Sequence, residues 1–176
     1  MSIEPIYNRF PKVPIERRAA AFGIDFVVVW LVSSIVAGMV TKMLVFMILW
    51  LVLRVLVVSS NQGQSLGRWA MDIKILDTKY AKVPGLLPLA KREGILGGCA
   101  LLAMIGVNLA LANPISLLLL ATPLAVDCGV AIANGETQQA FHDRIAKTMM
   151  IQTRRGFSLD LRLKKLFAQV RDRMQK

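Results

Sequence analysis

Three ionisable side chains stand inside long apolar runs of this chain, where a bilayer would surround them: Asp25, Arg54 and Asp127. An Asp near the centre of a spanning helix costs roughly 2.5–3.5 kcal/mol on insertion scales, so such groups face a partner or a water-filled cavity. Asp25 comes seven residues after Arg18, which places it about 10 Å inside the first run. With the second run antiparallel to the first, Arg54 lies within about one helical turn of that level and can reach it by snorkelling. Asp127 precedes Asn134 by seven residues, again about 10 Å from the same side. Two carboxylates and one guanidinium at one depth leave a spare negative charge. That suits a proton or a monovalent cation passed along as the carboxylates titrate. The same groups also suit an architectural role, in which Arg54 bridges Asp25 and Asp127 to fix helix register.

Other chemistries are poorly served. Gly63-Gln64-Ser65-Leu66-Gly67 matches a hydrolase elbow in letters, but that elbow needs a strand, a turn and a helix on an α/β sheet, whereas this one follows an apolar run. It reads better as a glycine-bounded turn in which Ser65 caps a short helix. The chain's single histidine, His142, is followed at once by Asp143, so a separate orienting acid would have to be found, and two adjacent ligands do not fill a metal coordination sphere. Asp143 is instead expected to accept hydrogen bonds from the backbone or from Arg17 or Arg18. Cys99 and Cys128 lie within apolar runs without metal-ligand spacing and read as packing residues. No enzyme activity, metal or cofactor is expected.

Elements that would position these residues follow from the apolar pattern. The chain has 176 residues, 55% of them hydrophobic, gathered at 19–40, 43–58, 94–112 and 114–133. Each block is near the roughly 20 residues that cross a bilayer. Thr41-Lys42 and Asn113 separate the blocks within two tight hairpins. The reading is an all-α membrane protein with four transmembrane helices. Its net charge of +11 sits beside the runs: Arg9, Lys12, Arg17 and Arg18 before the first, Arg68 to Arg92 in the loop 59–92, and the remainder after the fourth. By the positive-inside rule both termini and the central loop are cytoplasmic. Cations placed this way, without an aromatic-studded face, argue against nucleic acid. The first run is too long for a signal peptide and is followed at once by another.

Within the loop, apolar Trp69, Met71, Ile73 and Ile75 alternate with Arg68, Asp72 and Lys74, the period of a half-buried strand. Asp77-Thr78-Lys79 would turn it into a hairpin ended by Pro84-Gly85, and 147–154 is a further candidate strand, giving a small cytoplasmic β element. Beyond Gly156, Ser158 would cap a basic amphipathic helix over 155–176. Its apolar face, with Leu163, Leu166, Phe167 and Val170, suits a membrane surface or a partner's groove.

Three segments carry a resemblance. Arg18-Ala19-Ala20-Ala21-Phe22-Gly23-Ile24-Asp25, then Gly63 to Arg68 with Asp72-Ile73-Lys74-Ile75, and finally Phe141 to Thr148 together resemble the RDD family of small membrane proteins over residues 14–154. The resemblance implies that Arg18, Asp25 and Asp143 hold the family's three named positions. It also implies transport, which in some members is cation–proton exchange. Lys147 stands where that family more typically has a small residue, often glycine.

The segments are therefore an N-terminal stretch 1–18, a four-span domain 19–154 and the terminal helix 155–176. Two functions are expected. One is binding or transport of a proton or monovalent cation by Asp25 and Asp127, tuned by Arg54, with Arg18 and Asp143 locking a cytoplasmic gate. Four helices leave little room for alternating access, so this one implies a homo-oligomer. The other is an accessory or assembly subunit of a larger membrane complex, surrounded by lipid.

Overall fold

The computed structural model describes residues 10–11, 13–110, 112–133, 138–153, 159 and 169. The terminal amphipathic helix, with Leu163, Leu166, Phe167 and Val170, lies outside the described residues.

Helix α1, Ile15–Ser34, starts after Pro14, whose missing N–H is no loss there. It stops where Ser33 and Ser34 turn their hydroxyls back on the Trp30 carbonyl. Gly38 follows in the left-handed region at φ 84°, and α2, Met39–Ser60, begins. The first apolar block is thus not one span. Its end, Met39-Val40, belongs to α2, and the hairpin turn falls at 35–38. Thr41 and Lys42 are already helical, because Lys42 N–H bonds to the Gly38 carbonyl.

Near its far end α2 widens into a π-helical turn, Val52–Leu56, centred on Arg54. Such turns re-aim side chains and often mark functional sites. After α2 come the short helix α3, Leu66–Ala70, and strand β1, Ile73–Asp77. The long helices α4, Leu86–Leu109, and α5, Pro114–Ala133, pack along each other. The short helix α6, Phe141–Ile145, and strand β2, Thr148–Gln152, complete the described chain.

Three helices, α2, α4 and α5, are long and apolar enough to cross a membrane. Helix α1 carries Glu16, Arg17, Arg18 and Asp25, which sets it apart from them. Packed interior among α1, α2 and α4 is aromatic. Phe46 and Trp50 stack at 5.7 Å, Phe22 meets Trp50 edge-on at 5.6 Å, and Val29, Leu96, Ala100 and Met104 fill around them.

Two β expectations are corrected. The strand does not begin at Trp69, because Ser65 accepts the Arg68 N–H and winds Leu66–Ala70 into a helix; Trp69 is left exposed. Nor does the loop contain a second hairpin arm. Asp77 Oδ1 accepts from the Lys79 and Tyr80 N–H groups, and Ala81 takes φ 53°, so 78–84 curls as a turn. The partner of β1 is β2, antiparallel, with Ile73 opposite Gln152 and Asp77 opposite Thr148. Ile73 and Ile75 are fully buried beneath this two-stranded sheet. It ties the central loop to the segment after α5.

Lys147, in the turn before β2, has φ 52°, a left-handed conformation that costs an L-residue roughly 1–2 kcal/mol. A glycine would take this conformation without that cost. Lys147→Gly is expected to stabilise the protein by about 1 kcal/mol at most once glycine's own entropy cost is counted, read as a raised thermal midpoint of unfolding in detergent.

Candidate functional site

Nine ionisable side chains form one buried network where α1, α2, α4 and α5 meet α3 and α6. Asp25, 0% exposed, accepts from Arg54 Nη1 at 2.8 Å, from Ser65 Oγ at 2.6 Å and from the Gly67 N–H at 2.7 Å. The buried Asp25 carboxylate thus receives the loop that carries Gly63 to Gly67. Gly67 is glycine for a reason of space. A Cβ there would overlap the Ala21 carbonyl oxygen of α1 and stand 3.1 Å from Asp25 Oδ1.

Arg54 turns its Nε to Glu93 Oε2 at 2.7 Å and lies over the Trp50 ring at 4.8 Å. Glu93 is the hub. Its Oε1 also takes Arg68 Nη2 at 2.7 Å and Arg92 Nη1 at 2.6 Å, so three arginines share one carboxylate. Arg92 continues through Nε to Asp143 Oδ1 at 2.8 Å. Asp143 Oδ2 meets Arg18 Nη2 at 2.5 Å, and Arg18 Nη1 donates to the Gln138 carbonyl.

At the edge of the network, His142 Nδ1 and Asp127 Oδ2 are 2.5 Å apart, and the His142 N–H donates to Asp127 Oδ1 at 3.0 Å. His142 Nε2 lies 3.2 Å from Arg92 Nη2 and 3.4 Å from Asp143 Oδ1.

The structure therefore places the sequence candidates in two groups. Arg54 and Asp25 are in direct contact, and Arg18 and Asp143 likewise. Asp127 does not join Arg54; it pairs with His142, and Arg54 bridges Asp25 to Glu93 instead. Glu93, Arg92 and Arg68 were absent from the sequence candidates. The apolar run begins only at Gly94, which assigned Arg92 to a loop. Helix α4 starts at Leu86, so Arg92 and Glu93 lie nearly two turns inside it. The adjacent Arg-Glu pair at the mouth of an apolar run was the available signal.

Burial alone would raise the pKa of the Asp143 carboxyl. Arg92, His142 and Arg18 beside it outweigh burial and hold it well below the usual carboxylate range. A carboxylate with a lowered folded pKa adds stability that is fully present above its unfolded value, about 3.9 for Asp, and is lost as the pH falls from there toward the folded value. Asp143→Asn is accordingly expected to be less stable than the parent at neutral pH, with the gap closing below about pH 4. Denaturant midpoints measured across that range check it.

A cavity of about 150 Å³ adjoins the network, between α1 and α5, with Arg18, Arg54, Arg68 and His142 among its lining residues. Among the described residues no group of His, Cys, Asp and Glu side chains could hold a metal ion.

The family model described as the RDD family matches residues 12–147. No curated protein and no solved structure matches the chain.

Proposed function

The chain belongs to the RDD family, and from that premise we propose that it is a four-span membrane protein with both termini cytoplasmic that binds and transports a proton at the buried Asp127–His142 pair. One observation carries the reading. Among the described residues, Asp127 is the carboxylate of the network that touches no arginine, and its partner is an imidazole at 2.5 Å, with both side chains 4% exposed. Histidine is the side chain whose ordinary charge change falls between pH 5 and 8. The charged groups facing it are Asp127 from α5, Arg92 from α4 with Glu93 behind it, Asp143 on its own helix, and Arg18 from α1 across Asp143. Asp25, Glu93 and Asp143 are each held by one or more arginines, which disfavours a monovalent cation at those carboxylates and favours a proton at the remaining pair.

Support for α1 as the fourth span comes from where its charges lie. Three are in its first turn and Asp25 is buried, while Val27, Leu31 and Val32 are exposed as a lipid face requires. Arg54, Glu93 and Asp127 each lie about 9–10 Å from the helix end on the side of the sheet, the side that carries the cations of the central loop. Beyond them the Phe22, Phe46 and Trp50 rings fill the interior, so a route across the bilayer requires a second copy of the chain.

In vesicles reconstituted with the protein, an imposed pH gradient should drive proton flux that Asp127→Asn and His142→Gln reduce to the leak of protein-free vesicles. Equal flux in parent and variants contradicts the proposal.

A second reading, an accessory or assembly subunit of a larger membrane complex, draws on α5. That helix buries only Asp127 and Ala131 among its residues and presents Ile115, Leu118, Leu119 and Val126 outward, a face open to lipid or to another membrane chain. Gentle-detergent purification separates the readings. Stoichiometric recovery of a different protein favours the subunit, and a homo-oligomer favours transport.

A further inference from the structure

The two short helices α3 and α6 are held in the same way. In each, the second residue gives its N–H to an aspartate of a long helix: Gly67 to Asp25 Oδ1 at 2.7 Å, and His142 to Asp127 Oδ1 at 3.0 Å. In α3 the next donor is met as well, since Ser65 Oγ accepts the Arg68 N–H. The first N–H groups of a helix have no intrahelical partner. Water serves them on a soluble surface, but inside a bilayer the protein has to supply every acceptor. Asp25 and Asp127 do so, and they also fix the level at which α3 and α6 lie.

That level is within reach of lipid. From it to the far ends of the apolar helices, Arg54 to Met39 along α2, Glu93 to Leu109 along α4 and Asp127 to Pro114 along α5, the rise is about 20–24 Å. A hydrocarbon core about 30 Å thick that begins at those ends continues about 6–10 Å past the charged level, toward the sheet. Apolar surface continues with it. Leu56 on α2 and Ile132 on α5 stand on the sheet side of Arg54 and Asp127 and are 54% and 69% exposed. The short helices extend that surface: Leu66 and Trp69 are exposed on α3, and Phe141 and Ile145 on α6, at spacings of three and four that share one helix face. Gly67, Arg68, His142 and Asp143 are buried on the opposite side. Arg144, also exposed on α6, can carry its guanidinium toward lipid phosphates along its apolar stem.

We propose that α3 and α6 are re-entrant helices embedded in the leaflet on the side of the sheet, with Leu66, Trp69, Phe141 and Ile145 resting against lipid acyl chains beneath the phosphate level. The stretch 63–72 of the central loop then enters the membrane, while the turn at 78–84, with Lys79, Tyr80 and Lys82 exposed, lies in water. Asp25 and Asp127 are the anchors of the two insertions. The indole of Trp69 suits this depth, where an apolar ring with one polar edge is favoured. The proposal does not depend on the proton reading, because it uses the backbone N–H of His142 and not its ring.

Spin labelling of the full chain in phosphatidylcholine nanodiscs tests it. In a Cys99→Ala, Cys128→Ala background, Leu66→Cys, Trp69→Cys, Phe141→Cys and Ile145→Cys each carry one nitroxide. Leu118→Cys on the outward face of α5 and Lys79→Cys in the exposed turn serve as references. Collision with oxygen, which concentrates in lipid, relative to collision with a water-soluble nickel chelate should be several-fold higher at the four sites than at Lys79→Cys, and should approach the ratio at Leu118→Cys. Nickel access at either helix equal to that at Lys79→Cys overturns the proposal. Labels reached by neither agent overturn it too, since protein rather than lipid would then cover the face. A label-free measurement guards against disturbed folding: lipid with brominated chains should quench a share of the parent's tryptophan emission that Trp69→Phe removes. Quenching that Trp69→Phe leaves unchanged contradicts the placement of α3.

Discussion

Glu93→Gln is expected to destabilise the protein by about 3–5 kcal/mol, the usual cost of removing one partner from a buried ion network. The glutamate sits at 0% exposure with both oxygens occupied: Arg54 on Oε2, Arg68 and Arg92 on Oε1. A glutamine fills the same space but removes the charge, leaving four guanidiniums to two carboxylates, Asp25 and Asp143, at the depth where burial is most costly. Charge rather than shape sets the effect, so Glu93→Asp should lose less. Adding Arg68→Met to Glu93→Gln should recover part of the loss, because it removes a cation whose only acceptor among the described residues is Glu93. Unfolding in graded SDS or by heat in detergent, read as a double-mutant cycle, measures the coupling. A Glu93→Gln protein as stable as the parent would mean that the arginines have acceptors elsewhere.

Gly67→Ala is the second large effect, and it works through contact rather than charge. The added methyl would collide with the Ala21 carbonyl oxygen on α1, which is backbone and cannot rotate away. Overpacking costs about 1–3 kcal/mol where side chains can yield, and here the upper end is expected. Relief requires moving α3 off α1, which breaks the Gly67 N–H bond to Asp25 at 2.7 Å and strains the Ser65 hydroxyl bond at 2.6 Å. The expected signature is a lowered thermal midpoint together with faster proteolysis within residues 61–72. Ala70→Gly, one turn along the same short helix and without a charged contact, should be milder, at about 1 kcal/mol. A Gly67→Ala protein with the parent's midpoint would show that α3 does not sit against α1 as described.

Much of this site was legible from helical rise alone. Counting residues from the ends of the apolar runs placed Asp25 and Arg54 at one level, and the structure has them in contact. The count also put Asp127 at that depth, but depth says nothing about the direction around a helix axis. Asp127 turns toward His142 rather than Arg54. Glu93 and Arg92 escaped because hydropathy marks where a helix becomes apolar, not where it begins. Gly85 precedes α4 and Pro88 lies in its first turn, and Lys91-Arg92-Glu93 separate that short leucine-rich turn from the apolar run.

The sheet shows a different gap. Alternation identified strand character near Ile73 and Ile75, and 147–154 was a further candidate strand, while the pairing of β1 with β2 joins segments some seventy residues apart. Local pattern does not encode such pairing. The hairpin turn moved from Thr41-Lys42 to 35–38 because Ser33 and Ser34 bonding back to Trp30, together with the left-handed Gly38, outweigh the polar dipeptide. Four spans and the cytoplasmic placement of the termini rest on charge distribution and on the reading of α1 given above.

The central claim, a proton held by the Asp127–His142 pair, can be read on a single residue, since the chain contains one histidine. Protein labelled with 15N-histidine in lipid nanodiscs gives one imidazole, His142, without assignment. The account predicts that the His142 Nδ1 nitrogen, 2.5 Å from Asp127 Oδ2, carries the proton it shares with that carboxylate, and that Asp127→Asn changes the signal of that nitrogen. Ring signals that are identical in parent and Asp127→Asn would contradict it.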